Sequence, residues 1–230
     1  MITLLTYAPA FGQSSPSPFC LKAEWLLNLS SQQWQREDLK DPRKMPHAKL
    51  PAIKVDDRII PDSDNIRVYL EEHGAQFDKG MSDMDKATAR AFIRMAEEHM
   101  YFHLVMDRWG NDAVWPMVRD TYFDMIPKIV RGVITNRIRK AALQGLHGQG
   151  TGRLSEEERM ARIEPDFAAI SARLWQGAYL FEDAPTAADA SVGAVLASIR
   201  AAPADTALSR RVSQDQQLSA YADRCIAALG

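Results

Sequence analysis

The chain has 230 residues and a formal net charge of −2, which is enough length for one large domain or two small ones. This charge does not predict the basic surface that nucleic-acid binding requires. No apolar run is long enough to span a bilayer, and the first residues lack the basic start of a secretory signal. With Cys20 and Cys225 as the two cysteines, no disulfide framework is expected, and we predict a cytoplasmic protein with reduced thiols.

The first 76 residues alternate between strand and helix patterns. In chain order, the predicted elements are a strand over 2–7, a helix over 18–29, a weak strand over 34–39, strands over 51–55 and 58–61, and a helix over 63–74. Asp56 and Asp57 mark a hairpin turn between the last two strands, and Gly74 marks the end of the last helix. The βαβ-ββα order predicts an α/β unit closed by a hairpin.

Beyond a polar link at 75–82, every periodic segment has the pattern of a helix. The predicted helices cover residues 83–109, 113–146, 155–175, 187–201 and 215–229. Pro127 lies inside the second of them, where a kink is expected. We therefore predict an α/β domain over residues 1–76 and an all-helical domain over residues 82–230.

Three short segments, in order along the chain, carry a family resemblance. They are KLPAI (49–53), PDSDNIRVYL (61–70) and APTAADASVGAVL (184–196). They resemble, respectively, the cis-proline segment, the acid-serine signature and the buried N-capping box of the glutathione transferase superfamily. The resemblance implies a thioredoxin-like N-terminal domain followed by an all-helical C-terminal domain. In the third segment, Thr186 is the implied helix cap, with Asp189 reaching back to it.

Within this superfamily, other segments resemble one branch more closely. SPSPFCLKAEWLL (15–27), the helical segment at 90–109 and GTGRLSEEE (150–158) resemble the metaxin and failed-axon-connections-like proteins. Metaxins serve in protein import. This resemblance therefore leaves open a non-catalytic binding or interaction module on the same fold.

The stretch SSPSPFC (14–20) holds the implied catalytic position, Ser17, directly before the first helix. A free thiol has a pKa near 8.5, and making its thiolate dominant at neutral pH requires stabilisation of roughly 2.7 kcal/mol. A donated hydroxyl supplies about 1.5–3 kcal/mol and a helix N-terminus about 0.3–2 kcal/mol, so no metal is required. Ser14 and Ser15 are alternatives in the preceding loop, and Ser17 as a plain N-cap is another reading. For Cys20, a small buried apolar role is favoured over a redox thiol.

The resemblance also implies which residues bind glutathione. Leu50, held by a cis Pro51, offers its backbone groups to the cysteinyl part of the tripeptide in the manner of a β-strand. Asp62 and Ser63 open a helix whose N-terminus suits the γ-glutamyl carboxylate, although the family usually has Glu or Gln at the first of these positions. Lys49 is a candidate for neutralising the glycine carboxylate. Each position also has a purely structural reading, as a fold-shaping proline, a helix cap or a solvated lysine.

The helix predicted at 83–109 carries methionines and aromatic residues that suit an adaptable wall for the second substrate, although core packing is the favoured reading. Arg94 and His99 are candidates to reach that pocket. His99 and His103 have the i, i+4 spacing of a metal pair, but no third ligand is evident, so buried histidines with hydrogen-bond partners are favoured.

The resemblance therefore implies a glutathione transferase that conjugates or transfers glutathione to small hydrophobic electrophiles. Glutathione is the co-substrate, and no metal, nucleic acid or membrane span is expected. Family members usually pair, so a homodimer acting in detoxification is the default expectation. Glutathione-dependent thiol exchange through Cys20 is the least favoured alternative.

Overall fold

The structure is a computed structural model that describes residues 1–181 and 183–230. Its single sheet among these residues has four strands in the order β2-β1-β3-β4. The strands are β1 (Ile2–Thr6), β2 (Trp34–Asp38), β3 (Ala52–Val55) and β4 (Arg58–Pro61). β1 runs parallel to β2 and antiparallel to β3, and β3 and β4 form the predicted hairpin around Asp56 and Asp57.

Ten α-helices lie within the described residues. They are α1 (Pro18–Leu29), α2 (Ser63–Glu72), α3 (Asp83–Met95), α4 (Tyr101–Gly110), α5 (Trp115–Tyr122), α6 (Lys128–Gln149), α7 (Glu156–Leu174), α8 (Ala187–Arg200), α9 (Ala207–Gln214) and α10 (Gln216–Leu229). The predicted fold class, an α/β unit followed by helices alone, is confirmed. None of the helices at residues 1–181 or 183–230 is both long enough and apolar enough to cross a membrane.

Helix α1 is buried along most of its surface, because it packs against α2 and β1 as well as against α8 and α10. The sequence predicted one apolar face made of Phe19, Trp25, Leu26 and Leu29. Trp25 and Leu26 are buried as expected, whereas Phe19 and Leu29 are only half-buried. The pattern failed here because a helix covered on several sides has no single apolar stripe.

The long helices predicted from periodicity are divided in the structure. A π-helical turn at Ala96–Met100 separates α3 from α4, and such turns are frequent at functional sites. Pro127 does not kink a helix. It precedes α6, because a proline without an N–H can start a helix but cannot continue one, and its carbonyl accepts the first bond of α6 from Arg131. The short helix α9, capped by Thr206, was not predicted.

Helix α8 is almost entirely buried, and its start is satisfied by the predicted capping box. The Asp189 carboxylate accepts from the Thr186 N–H at 2.8 Å, from the Leu180 N–H at 3.0 Å and from the Tyr221 hydroxyl at 2.7 Å. Asp189 is fully buried, so removing its carboxylate would leave each of these donors without a partner and without access to water. The box therefore joins α8 to α10 and to the segment that precedes it.

We predict that Asp189→Ala lowers the free energy of unfolding by about 3 kcal/mol or more, because it leaves four buried donors without an acceptor, the fourth being the Thr186 hydroxyl, which donates to Asp189 at 2.7 Å. Thr186→Ala should cost about 1–2 kcal/mol, as a lost buried cap. The matched control is Ser155→Ala at the exposed capping box of α7, which should cost about 0.5–1 kcal/mol. Urea unfolding measures all three, and equal costs for Asp189→Ala and Ser155→Ala would contradict the prediction.

Candidate active site

The loop that precedes α1 is held against β2 by an arginine. Arg36 donates to the backbone carbonyls of Tyr7, at 2.8 Å, and Ser14. The same guanidinium is paired with Glu24 at 3.1 Å and with Asp38 at 2.6 Å. Its charge is thus neutralised, and the loop is positioned by bonds to its backbone.

The three serines of this loop have different surroundings. The Ser14 hydroxyl donates to the Glu24 carboxylate at 2.7 Å. Ser15 is fully buried, and its hydroxyl oxygen accepts from the Ser17 N–H at 3.4 Å. Ser17 is half-buried and is the N-cap of α1, where its oxygen accepts from the Cys20 N–H at 3.4 Å. Of the three, Ser17 combines partial exposure with a place at a helix N-terminus.

Cys20 is fully buried, and its thiol is free, as is that of Cys225. Burial raises the pKa of the Cys20 thiol, despite the hydroxyls of Ser15 and Ser17 beside it. A buried thiol with a raised pKa is a poor nucleophile. The burial predicted for Cys20 is confirmed, and this residue packs with Leu5, Leu50 and Ala52 in a small apolar cluster.

The segment around Pro51 connects this cluster to the start of α2. The Leu50–Pro51 peptide bond is cis, as the sequence predicted, and the Pro51 carbonyl accepts from the Asp62 N–H at 3.1 Å. Leu50 is buried, and Asp62 directly precedes Ser63 at the helix start. The four residues Leu50, Pro51, Asp62 and Ser63 are therefore brought together. Lys49 lies beside them with an exposed side chain.

Asp62 caps α2 from a left-handed backbone conformation with φ of 76°, and its carboxylate accepts from the Asp64 N–H at 2.8 Å. Ser63 is buried at the first position of the helix. Asp62 and Ser63 both line a cavity of about 420 Å³ between α2 and the segment formed by α3, the π turn and α4. Its lining residues are Phe19, Asp62, Ser63, Asp64, Asn65, Arg94, Glu97, Glu98, Tyr101 and Phe102.

The cavity contains some of the predicted site residues and not others. Arg94 reaches it as predicted, but His99 does not, because its ring turns away to Asp166. Outside the lining lie Ser17, directly before α1, and Lys49, Leu50 and Pro51, directly before β3. A wider depression of about 640 Å³ on α6 and the turn after it is lined by none of these residues.

An ion network behind the cavity was not predicted. The Lys22 ammonium on α1 is buried and bonds the Glu97 carboxylate in the π turn at 2.6 Å. Arg90 binds Asp64 through two bonds of 2.8 and 2.7 Å, and Arg94 reaches the same carboxylate at 3.2 Å. The bond to Arg90 lowers the pKa of Asp64 to about 2, so this group is ionised at neutral pH. The sequence contains one indication of this network, because Lys22 is a charged residue within the apolar run of α1.

The opposite wall of the cavity is aromatic. Phe19 and Tyr101 meet edge to face with ring centroids 4.7 Å apart, and Phe102 lies beside them. Burial raises the pKa of Tyr101 to about 12, so its hydroxyl remains a hydrogen-bond donor at neutral pH. The cavity thus has a polar end at the start of α2 and an apolar end at the start of α4.

The side chains of His99 and His103 contact each other, and His99 also contacts an aspartate. His99 Nδ1 lies 2.5 Å from Asp166 Oδ2, and His99 Nε2 lies 3.4 Å from His103 Nε2. Burial lowers the pKa of His103 to about 4, which keeps that ring neutral. Within residues 1–181 and 183–230, no cluster of three or more His, Cys, Asp or Glu side chains has the geometry to hold a metal ion.

Comparison with known proteins places this geometry in a family. Residues 18–115 match the glutathione S-transferase N-terminal domain, and residues 163–225 match the glutathione S-transferase C-terminal domain. The chain is 32% identical to the isoprene-epoxide–glutathione S-transferase of Rhodococcus sp. (strain AD45), with 97% of each chain covered.

Solved structures agree with the fold. Glutathione transferase GSTFuA3 of Phanerochaete chrysosporium matches with a TM-score of 0.67 at 15% identity, covering 99% of this chain and 96% of that one. A glutathione S-transferase of Methylobacillus flagellatus with glutathione bound matches with a TM-score of 0.62 at 14% identity, covering 97% and 94%. The matches give no support to the metaxin-like branch suggested by the sequence. Taken together, they show that the chain belongs to the glutathione S-transferase family.

Proposed function

We propose that this glutathione transferase conjugates glutathione to small hydrophobic epoxides. The relative that matches along nearly the whole chain is named for an isoprene epoxide, which supports this substrate class. The aromatic wall formed by Phe19, Tyr101 and Phe102 suits a small apolar group. In the reaction, the glutathione sulfur forms a bond to an epoxide carbon, the carbon–oxygen bond breaks, and the oxygen takes a proton from water.

Ser17 is the proposed catalytic residue, and its placement carries the proposal. Among the serines of the loop, it alone is both partly exposed and at the N-terminus of α1. Its hydroxyl would donate to the glutathione thiolate, and the positive helix end would add to the stabilisation. Together these effects match the roughly 2.7 kcal/mol that a two-unit fall in the thiol pKa requires.

The glutathione-binding residues are proposed on the same basis. Leu50 would pair its backbone with the cysteinyl part of the tripeptide, and no described residue is hydrogen-bonded to that backbone. Ser63 and the start of α2 would receive the γ-glutamyl carboxylate, beside the bend held by Pro51 and Asp62. Lys49, whose side chain is exposed, would neutralise the glycine carboxylate.

We further propose that residues 1–76 form the glutathione-binding domain and residues 82–230 the helical domain. Conjugation of reactive epoxides to glutathione fits a role in detoxification. Such a role suits the cytoplasm, where thiols are kept reduced, and both cysteines of the chain are free.

A homodimer is supported by the surface of α6. Of the 22 residues of this helix, Thr135 and Leu146 are buried, while its N-terminal half exposes large apolar side chains. Ile129 is 96% exposed and Val133 is 71% exposed, and Val130, Ile134 and Ile138 are also exposed. An apolar stripe of this extent on one helix is typical of a surface that another protein covers. A second copy is the proposed partner, because most soluble oligomers are symmetric homo-oligomers.

Ser17→Ala is predicted to lower kcat/KM for glutathione and an aliphatic epoxide of four or five carbons by about 10- to 150-fold. The reason is the loss of a hydroxyl bond to a charged group, worth about 1.5–3 kcal/mol. The pKa of bound glutathione should rise by about one to two units, measured from thiolate absorbance against pH. Ser14→Ala is the matched serine control and Cys20→Ala the thiol control, and both should retain most of the activity.

Other outcomes separate the alternatives. A wild-type chain that does not bind immobilised glutathione would contradict the proposal and favour the non-catalytic module. Binding with activity lost in Cys20→Ala but retained in Ser17→Ala would favour thiol exchange instead.

Val133→Asp should weaken dimerisation by roughly 100-fold or more, because each copy would bury an unpaired carboxylate against its partner. Sedimentation of the wild type and the variant over a range of concentrations measures this effect. The control is Trp175→Asp, which changes a similarly exposed apolar residue at the end of α7 and should leave the dimer intact. A monomeric wild type, or an unchanged dimer in Val133→Asp, would show that α6 is not the interface.

A further inference from the structure

Arg108 on α4 is a buried cation with no carboxylate partner among the described residues. It is 4% exposed. Its guanidinium donates to the Pro16 carbonyl at 2.5 Å, to the Tyr122 hydroxyl at 3.0 Å and to the Ser198 carbonyl at 2.9 Å. All three partners are neutral, and in the described part of the chain its Nε has no hydrogen-bond partner.

The contrast with Arg36 shows that this arrangement is unusual. Both arginines hold the loop before α1 through its backbone carbonyls. Arg36 is neutralised by Glu24 and Asp38, whereas Arg108 forms no ion pair with any carboxylate in the part of the chain that the structure describes. A buried charge without a counter-charge is costly, and an anion that binds beside it recovers that cost.

The contact at Pro16 determines where the charge acts. Pro16 directly precedes Ser17, so the guanidinium contacts the residue next to the proposed catalytic serine. We infer that Arg108 is a positioning residue that fixes the Ser17 loop and supplies a counter-charge to the glutathione thiolate. This inference rests on the proposed function, because it assumes that the thiolate binds at Ser17.

The surrounding groups do not cancel this charge. Asp107, the adjacent acid, turns to α9, where its carboxylate accepts from the Thr206 hydroxyl at 2.9 Å. Burial raises the pKa of Tyr101, Tyr7 and Cys20, which stay neutral at neutral pH. Tyr122 bonds the guanidinium through its hydroxyl. The Arg108 guanidinium also lies 5.7 Å from the centre of the Phe11 ring, a cation–π contact that brings no counter-charge.

The test is the pKa of glutathione bound to the enzyme, measured from thiolate absorbance against pH. Arg108→Gln should raise this pKa by about one unit, a roughly tenfold fall in the ratio of thiolate to thiol. Arg108→Lys keeps the charge and should restore part of the shift. Arg139→Gln is the matched control, because Arg139 also bonds backbone carbonyls of this helix, those of Trp109 and Gly110, and should leave the pKa unchanged.

Melting curves establish that each variant is folded, and Arg108→Met, which keeps the apolar stem, replaces Arg108→Gln if that variant does not fold. If the wild type lowers the pKa of bound glutathione and a folded Arg108→Gln or Arg108→Met variant lowers it equally, this inference is overturned. The proposed function would still stand in that case. A wild type that binds glutathione without lowering its thiol pKa overturns both. An equal rise in Arg139→Gln would show a general structural effect and also overturn the inference.

Discussion

The buried ion pair between Lys22 and Glu97 is the contact on which the arrangement of the site depends. It joins α1, which is capped by Ser17, to the π turn that forms one wall of the cavity, and the Ser191 hydroxyl on α8 donates to the same carboxylate at 3.0 Å. Removing one member of such a pair leaves a buried charge uncompensated, which costs about 3–5 kcal/mol in comparable proteins. The pair therefore holds α1, at whose start the glutathione thiolate is proposed to bind, against the π turn that lines the cavity. Because Asp64 lies 3.7 Å from the same ammonium, the start of α2 is tied to this contact too.

Charge is distributed unevenly around the site. At the polar end of the cavity, the cations of α1 and α3 face Asp64, Glu97 and Glu98, and Asp62 adds one further carboxylate. A zwitterionic γ-glutamyl group adds no net charge to such an environment. At the loop before α1, the buried cation is Arg108, and its hydrogen-bond partners are neutral. The polar end of the cavity, which contains both cations and carboxylates, therefore suits a zwitterionic group. The loop before α1, where Arg108 has neutral partners, suits a single negative charge.

The sequence predicted the elements whose signals are local. The hairpin at Asp56–Asp57 and the bounds of α1 follow from residues a few positions apart, whereas the cis bond before Pro51 and the capping box at Thr186 were implied by the family resemblance of their segments. It failed where tertiary contacts decide the outcome. The π turn within 83–109 is not marked by any breaker residue, and α9 is too short for its periodicity to stand out. The Lys22–Glu97 pair joins residues 75 positions apart, which no periodicity reveals.

The family resemblance favoured Ser17 over Ser14 and Ser15, but the sequence could not show what each hydroxyl of SSPSPFC contacts. All three precede a helix, and a hydroxyl before a helix always has a capping role available. The three hydroxyls differ in their surroundings in the folded structure. The Ser14 hydroxyl donates to Glu24, and Ser15 is fully buried. Of the three, Ser17 is the one that is both partly exposed and the cap of α1, and the preceding Pro16 carbonyl accepts from the buried Arg108 guanidinium. A hydroxyl, a helix end and an uncancelled cation converge on this one position, and each favours an anion there.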